Sequence, residues 1–264
     1  MGVLNVTPDS FSDGGCFNTV DKAVQQGMQM FRDGAAILDI GGESTRPGAK
    51  SVALDEELAR VVPVVEKLRQ ETDLPLSIDT NKAQVAEAAI AAGANFINDI
   101  SGLTFDPEMT TVVADSGAGI FLMHTRGHPE VMQQKTEYDN LISEVVESLH
   151  KSLSTALDAG IDRSRIAVDP GIGFGKSAEG NLELLHNLEA LHQLNCPILL
   201  GTSRKSFIGR ILQQDDPLER LSGTLATVSL GVAQGVQMFR VHDVRQAREA
   251  ALVAWSIREQ RLPL

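Results

Sequence analysis

A short apolar run, a polar or glycine-rich loop and a stretch of helical periodicity recur along the chain. The apolar runs end near Asn5, Asp39, Asp79, Asn98, His124, Asp169, Gly201 and His242, on average about 34 residues apart, which is the size of a βα unit. Runs such as Ala35-Ala36-Ile37-Leu38 and Pro197-Ile198-Leu199-Leu200 are apolar throughout, as strands of a parallel sheet covered by helices must be. Between runs the period becomes helical. Leu58, Val61, Val62, Val65 and Leu68 share one face, and Leu141, Val145, Leu149, Leu153 and Leu157 share another. Gly34, Gly93, Gly117, Gly160 and Gly235 fall late in such stretches or just after them, where a left-handed C-cap ends a helix. No linker divides the pattern, so it predicts one α/β domain over residues 1–264. Eight units favour a closed (β/α)8 TIM barrel over an open doubly wound sheet, which would use fewer strands and longer insertions.

The C-terminal ends of barrel strands form the active face. Here those ends carry Asn5, Asp39, Asp79, Asn98-Asp99, His124, Asp169, Arg240 and His242. Taken singly, each Asp or Asn suits the N-cap of the following helix. Their convergence on one mouth points instead to a site, because such residues form strands poorly and are costly to bury unpaired. Carboxylates and amides without a Cys or paired-His cluster suit a nitrogen-rich heterocycle bound through its N–H groups.

The loops after the strands add a second theme. Residues 6–15 and 41–48 are polar and glycine-rich, fit to move over the mouth. Arg46, flanked by Thr45 and glycines, suits a phosphate or carboxylate, and Arg240 with His242 makes a second anion-binding group. Gly171-Ile172-Gly173-Phe174-Gly175-Lys176-Ser177 is not a P-loop, because Pro170 stands where the first glycine belongs. It is expected to be a flexible loop that lets Phe174 stack on a flat ligand. In Gly201-Thr202-Ser203-Arg204-Lys205-Ser206-Phe207 the hydroxyls and cations suit either plain capping or a Lys205 reaching into the mouth beside Ser206.

Composition narrows the partners. With 23 basic and 35 acidic residues the net charge is −12, which disfavours nucleic acid. The two cysteines, Cys16 and Cys196, make no disulfide framework, and a reduced, cytoplasmic setting fits best. No apolar run approaches the ~20 residues of a membrane span.

In order along the chain, residues 1–15, 41–48, Ser77-Ile78-Asp79-Thr80, Asn98-Asp99-Ile100, Leu122-Met123-His124, residues 169–176, Ser203-Arg204-Lys205-Ser206 and Arg240-Val241-His242-Asp243 resemble the motifs of dihydropteroate synthases. The resemblance implies a pterin-binding TIM barrel. It implies a transferase that joins 6-hydroxymethyl-7,8-dihydropterin diphosphate to 4-aminobenzoate with release of pyrophosphate, a sulfonamide target in folate synthesis. Mg2+ and a homodimer are implied as well. By the same resemblance Asp79, Asn98, Asp169 and Lys205 hold the pterin, Met123 packs on its ring, and Asn5 holds the magnesium ion. Thr45, Arg46, Arg240 and His242 meet the diphosphate or the aminobenzoate carboxylate, and Asp13 belongs to the first closing loop. Phe174, Lys205 and Ser206 line the aminobenzoate pocket, while Lys176 and Arg204 receive no role. Family members usually carry strand material ahead of the position of Met1, and its absence leaves the barrel floor in question. Two other readings stay open: a methyltetrahydrofolate:corrinoid methyltransferase, which would not need the Thr45-Arg46 loop or the Arg240/His242 pair, and a non-catalytic pterin-binding relative.

Overall fold

The structure, a computed structural model, describes residues 1–7 and 16–263, and of residues 16–19 the backbone alone. Strands β1 (Gly2–Asn5), β2 (Leu38–Gly41), β3 (Leu76–Asp79), β4 (Phe96–Asp99), β5 (Gly119–Met123) and β6 (Ile166–Asp169) pair in parallel and in sequence order. β7 (Leu199–Leu200) and β8 (Met238–Phe239) form a second parallel pair. Single bridges between Val168 and Ile198 and between Gly2 and Val241 join the two groups. There the Val168 N–H donates to Pro197 O and the Val3 N–H to Val241 O, both at 2.9 Å. The sheet therefore closes on itself as the eight-stranded barrel the pattern predicts, with no free edge.

Helices α1 (Cys16–Arg32), α2 (Leu54–Glu71), α3 (Ala83–Ala91), α4 (Met109–Ser116), α5 (Leu141–Asp158) and α6 (Ala178–His186) follow the first six strands. Two helices, α7 (Ser206–Leu212) and α8 (Leu221–Ala233), follow β7, and α9 (Val244–Glu259) follows β8. Local chemistry sets several ends. Asn140 caps α5 by accepting the Ser143 N–H at 3.1 Å, and Ser177 caps α6 by accepting the Gly180 N–H at 2.9 Å. Gly117 ends α4 in the left-handed region at φ +73°.

Three expectations shift. β2 begins at Leu38, so Ala35–Ile37 is the approach to the strand rather than the strand. β8 stops at Phe239, which leaves Arg240 and His242 beyond it, held in place by the Val241 bridge. The buried stripe of α2 is Glu57, Val61, Val64, Val65 and Leu68, with Val62 at its margin. A charged residue belongs to that stripe, and an apolar pattern search passes over it.

Residues alternate between two cores. Facing the helices, Leu4, Leu38, Ile40, Leu76, Ile78, Ile97, Ile120, Leu122 and Val168 are almost completely buried. Each such side chain contributes about 1.5–3 kcal/mol. Inside the barrel Phe121, Ala167 and Leu199 pack with Met1, Ile37, Phe96 and Met238. That inner plug is the base on which the mouth is built.

Candidate active site

Two residues further along the same inward face, the plug turns polar. Ile37 is followed by Asp39, Phe96 by Asn98, Ala167 by Asp169 and Met238 by Arg240. Asp39 is 0% exposed and ties Asn98 and Arg240 together. Its Oδ1 accepts from Ser77 Oγ at 2.6 Å; its Oδ2 accepts from Asn98 Nδ2 at 3.0 Å and from Arg240 Nε at 2.6 Å. Arg240 Nη2 donates to Asp79 Oδ2 at 2.7 Å. Burial works against the Arg240 charge, but Asp39 and Asp79 outweigh it and raise its pKa.

Asp79 Oδ1 is buried and has no hydrogen-bond partner among the described residues. Leaving such an oxygen unpaired costs about 1–3 kcal/mol, so the position calls for a ligand N–H. Burial pushes the Asp79 carboxyl up to about 7, with Arg240 opposing and Asp39 adding to the shift. Asp169 is also raised by burial, against the pull of the Gly171 N–H that its Oδ1 accepts at 2.7 Å. Lys205 is lowered to about 8, chiefly by burial, with Asp169 and Asp79 restoring part of its basicity. Its Nζ lies 4.1 Å from the centroid of the Phe174 ring. Met123, Phe174, Ile100 and Met132 form a small apolar cluster beside it.

At the rim, Ser203 Oγ accepts the His242 backbone N–H at 3.2 Å and lies 3.0 Å from His242 Nδ1. Burial, then Arg204 and Arg240, lower His242 to about 4, so near neutral pH it is an uncharged N–H donor. Arg46 is exposed on the loop after β2, with Thr45 half-buried beside it, and the Arg46 charge also acts on His242. Ser206 is exposed as the first residue of α7. Arg204, without a role in the sequence, is bidentate to Asp243 at 3.0 and 2.6 Å.

The glycine-rich segment after β6 departs from expectation. Gly171, Ile172, Phe174, Gly175 and Lys176 are all buried. Lys176 Nζ donates to Gly171 O and Phe174 O, both at 2.9 Å, and lies 2.8 Å from His124 Nδ1. Burial lowers both amine and imidazole, His124 to about 2. The segment is wound around a buried amine rather than flexible. Its glycines serve close approach: at Gly171, where φ is +69°, a Cβ would lie 1.9 Å from His124 O.

Among the described residues no group of three or more His, Cys, Asp or Glu could cage a metal. Asn5 suits a different kind of site. A Cβ on Gly41 would stand 3.7 Å from Asn5 Oδ1, so a hard oxygen donor borders a space that glycine leaves open, whereas Asp79 Oδ2, at the same distance, is taken by Arg240. One or two protein oxygens completed by substrate phosphates are what Mg2+ takes. Asp13 lies outside the described residues. Asp39 and the Lys176–His124 pair are the groups to which sequence reading gave no task. A charge inside an apolar strand run was the signal for Asp39.

The comparisons with known proteins agree. The family model "pterin binding enzyme" matches residues 1–242. A dihydropteroate synthase of Synechocystis is 51% identical over 254 residues, covering 96% of this chain and 88% of that protein. The chain belongs to the dihydropteroate synthase family. Solved dihydropteroate synthases share its fold. That of Clostridium difficile, determined in the presence of pteroic acid, has a TM-score of 0.92 at 47% identity, over 97% of this chain and 95% of that one. That of Xanthomonas albilineans with 4-aminobenzoic acid has a TM-score of 0.92 at 44% identity, over 100% and 93%.

Proposed function

We propose that the mouth of the barrel is where this transferase condenses 6-hydroxymethyl-7,8-dihydropterin diphosphate with 4-aminobenzoate, giving 7,8-dihydropteroate and pyrophosphate. The observation that carries the reading is the unpartnered, buried Asp79 Oδ1, set beside Asn98, Asp169 and Lys205. A pterin offers the N–H edge these acceptors require, and Met123 supplies an apolar face for its ring. Asp39 and Arg240 hold Asp79 in place through its other oxygen, and Arg240 Nη1 makes no hydrogen bond among the described residues. The neutral ring of His242, Arg46, Thr45 and Arg240 Nη1 then suit the diphosphate or the aminobenzoate carboxylate. Phe174, Lys205 and Ser206 line the aminobenzoate side.

The leaving group departs by C–O cleavage, which the electron-rich pterin assists by delocalising the positive charge. No protein nucleophile is required; the amine of 4-aminobenzoate takes the vacated carbon and loses a proton. Donors aimed at the departing oxygens stabilise the charge that develops there. Asn5 would hold the Mg2+ that accompanies the diphosphate, and that ion would supply Lewis-acid stabilisation of the charge. Closure of the Thr45-Arg46 loop would exclude water, which would otherwise capture the carbon first.

Arg46, Thr45, Arg240 and His242 support a diphosphate substrate over a corrinoid-dependent methyl transfer, which has no use for them. Leu230 on α8 and Val253 and Ile257 on α9 are 60%, 62% and 74% exposed, which supports a homodimer through these helices. No helix among the described residues is long and apolar enough to cross a membrane, consistent with a cytoplasmic enzyme. The test is pyrophosphate release with Mg2+ and the pterin diphosphate. Release that depends on 4-aminobenzoate is expected; tight pterin binding without turnover would instead mark a binding protein.

A further inference from the structure

A buried ion triad lies behind the mouth, between the loop that carries Thr45 and Arg46 and the strand end that carries Asp79. Glu57, in the first turn of α2, is 1% exposed, and Glu43, just after β2, is 8% exposed. Lys82 Nζ donates to Glu43 Oε2 at 2.7 Å and also to Glu57 Oε2. Thr80, the residue after Asp79, donates through Oγ1 to Glu57 Oε1 at 2.7 Å. Glu43 Oε2 further accepts the Val52 N–H at 2.8 Å and Ser51 Oγ at 3.3 Å, so the two ends of the loop are stapled together. Arg60 Nη1 donates to Gly42 O at 2.7 Å. At Gly42 a Cβ would lie 2.7 Å from Val61 Cγ2, so α2 presses directly on the start of the loop. The loop is thus fixed at its base, while Arg46, Pro47 and Gly48 at its tip are exposed.

Two buried carboxylates against one ammonium are a poor means of stabilising a helix contact, since apolar side chains of the same volume hold such a contact as well or better. What the triad does provide is a fixed geometry. It links Asp79, through Thr80, Glu57, Lys82 and Glu43, to Thr45 and Arg46. We propose that Lys82 is a positioning residue for the transfer reaction: by clamping Glu43 and Glu57 it holds the base of the Thr45-Arg46 loop at a set height over Asp79. A pterin seated on Asp79 then presents its diphosphate within reach of Arg46. The inference rests on the reading above, in which that loop meets the diphosphate.

The test is Lys82→Met in the full chain, with two ligands compared. For the pterin diphosphate, kcat/KM is expected to fall ~10- to 100-fold, the scale of a displacement of about 1 Å in a reacting group. Affinity for 6-hydroxymethylpterin, which has no diphosphate, is expected to fall by much less, because Asp79, Asn98 and Asp169 keep their own hydrogen bonds. Lys82→Arg retains the cation and is expected to recover most of the lost turnover. Glu43→Gln weakens the same clamp without removing the loop staple; its smaller loss, in the same direction, decides the matter if Lys82→Met does not fold. Unaltered kinetics in folded Lys82→Met, or equal losses for both ligands, would overturn the proposal. Arg46→Ala separates the two levels of inference. If it spares the pterin diphosphate, the role of the loop is wrong; if it impairs that substrate while the Lys82 and Glu43 variants do not, only the clamp is wrong.

Discussion

The lower and upper halves of the barrel interior are built on the same strands and the same inward face, yet they differ completely in character. Phe121, Ala167, Leu199 and their neighbours make a dry plug. Two residues on, Asp39, Asp79, Asn98, Asp169 and Arg240 make a charged, hydrogen-bonded layer with one oxygen left unpaired. The plug has what a stable core needs. The polar layer gives up stability, through buried charge and an orphan acceptor, and on the proposed reading that cost serves to present groups to the pterin. Alternation with a period of two lets a single strand serve both tasks.

That division of labour can be broken from either side. Phe121→Ala removes a ring that is 2% exposed and lies tilted against Phe96 with centroids 5.5 Å apart. It is expected to lower unfolding free energy by about 3–5 kcal/mol, read by urea denaturation, with KM for both substrates unchanged in the folded fraction. Altered KM would mean that plug and mouth are not separable. Asp79→Asn should do the reverse. Turnover is expected to fall ~10²–10³-fold with little loss of melting temperature, and near-parental kinetics would remove Asp79 from the site.

A pH series sharpens the second case. The Asp79 carboxyl titrates near 7 in the folded protein against an ordinary 3.8. The fold therefore holds this proton more tightly than the unfolded chain does. The resulting stabilisation is complete below the ordinary value and is lost as pH rises through about 7. Across that window the stability of Asp79→Asn should rise relative to the parent, measured by denaturation at successive pH values. A constant difference would contradict the raised pKa. Pterin affinity of the parent should fall as pH drops below about 7, because protonation removes the anionic acceptor.

The smallest effect is expected at Gly201, the mouth residue above Leu199. A Cβ there would meet Arg240 Cβ and Asp169 Oδ2 at 3.8 Å, ordinary contact distances. Gly201→Ala should change stability by no more than ~0.5 kcal/mol. A larger loss, read by the same denaturation assay, would show the polar layer to be packed as tightly as the plug.

Much of this was legible beforehand, and particular residues show where legibility stopped. Asp79, Asn98, Asp169, Lys205 and Arg240 stand at strand ends or in the loop beyond, and the structure brings them together. Asp39 was visible as a polar strand end, but its task was not, because its partners Ser77 and Arg240 are 38 and 201 residues away. Glu57 stands with Asp55 and Glu56 in the acidic first turn of α2, and only the structure shows it buried. Lys82 immediately precedes α3, and no periodicity links it to Glu43, 39 residues away. The glycines after β6 suggested freedom, whereas Lys176 wraps that segment tightly around its own amine.

The sequence by itself determined the eight βα units, the parallel sheet and the identity of the residues at the mouth, because periodicity and strand ends are local properties of the chain. Only the tertiary structure decided that two single bridges close the ring, that Arg240 joins Asp39 to Asp79, and that Lys82 ties a loop to a strand end. Each of those depends on groups far apart in the chain meeting at hydrogen-bond distance. Such meetings are set by barrel closure and register, which no local pattern contains.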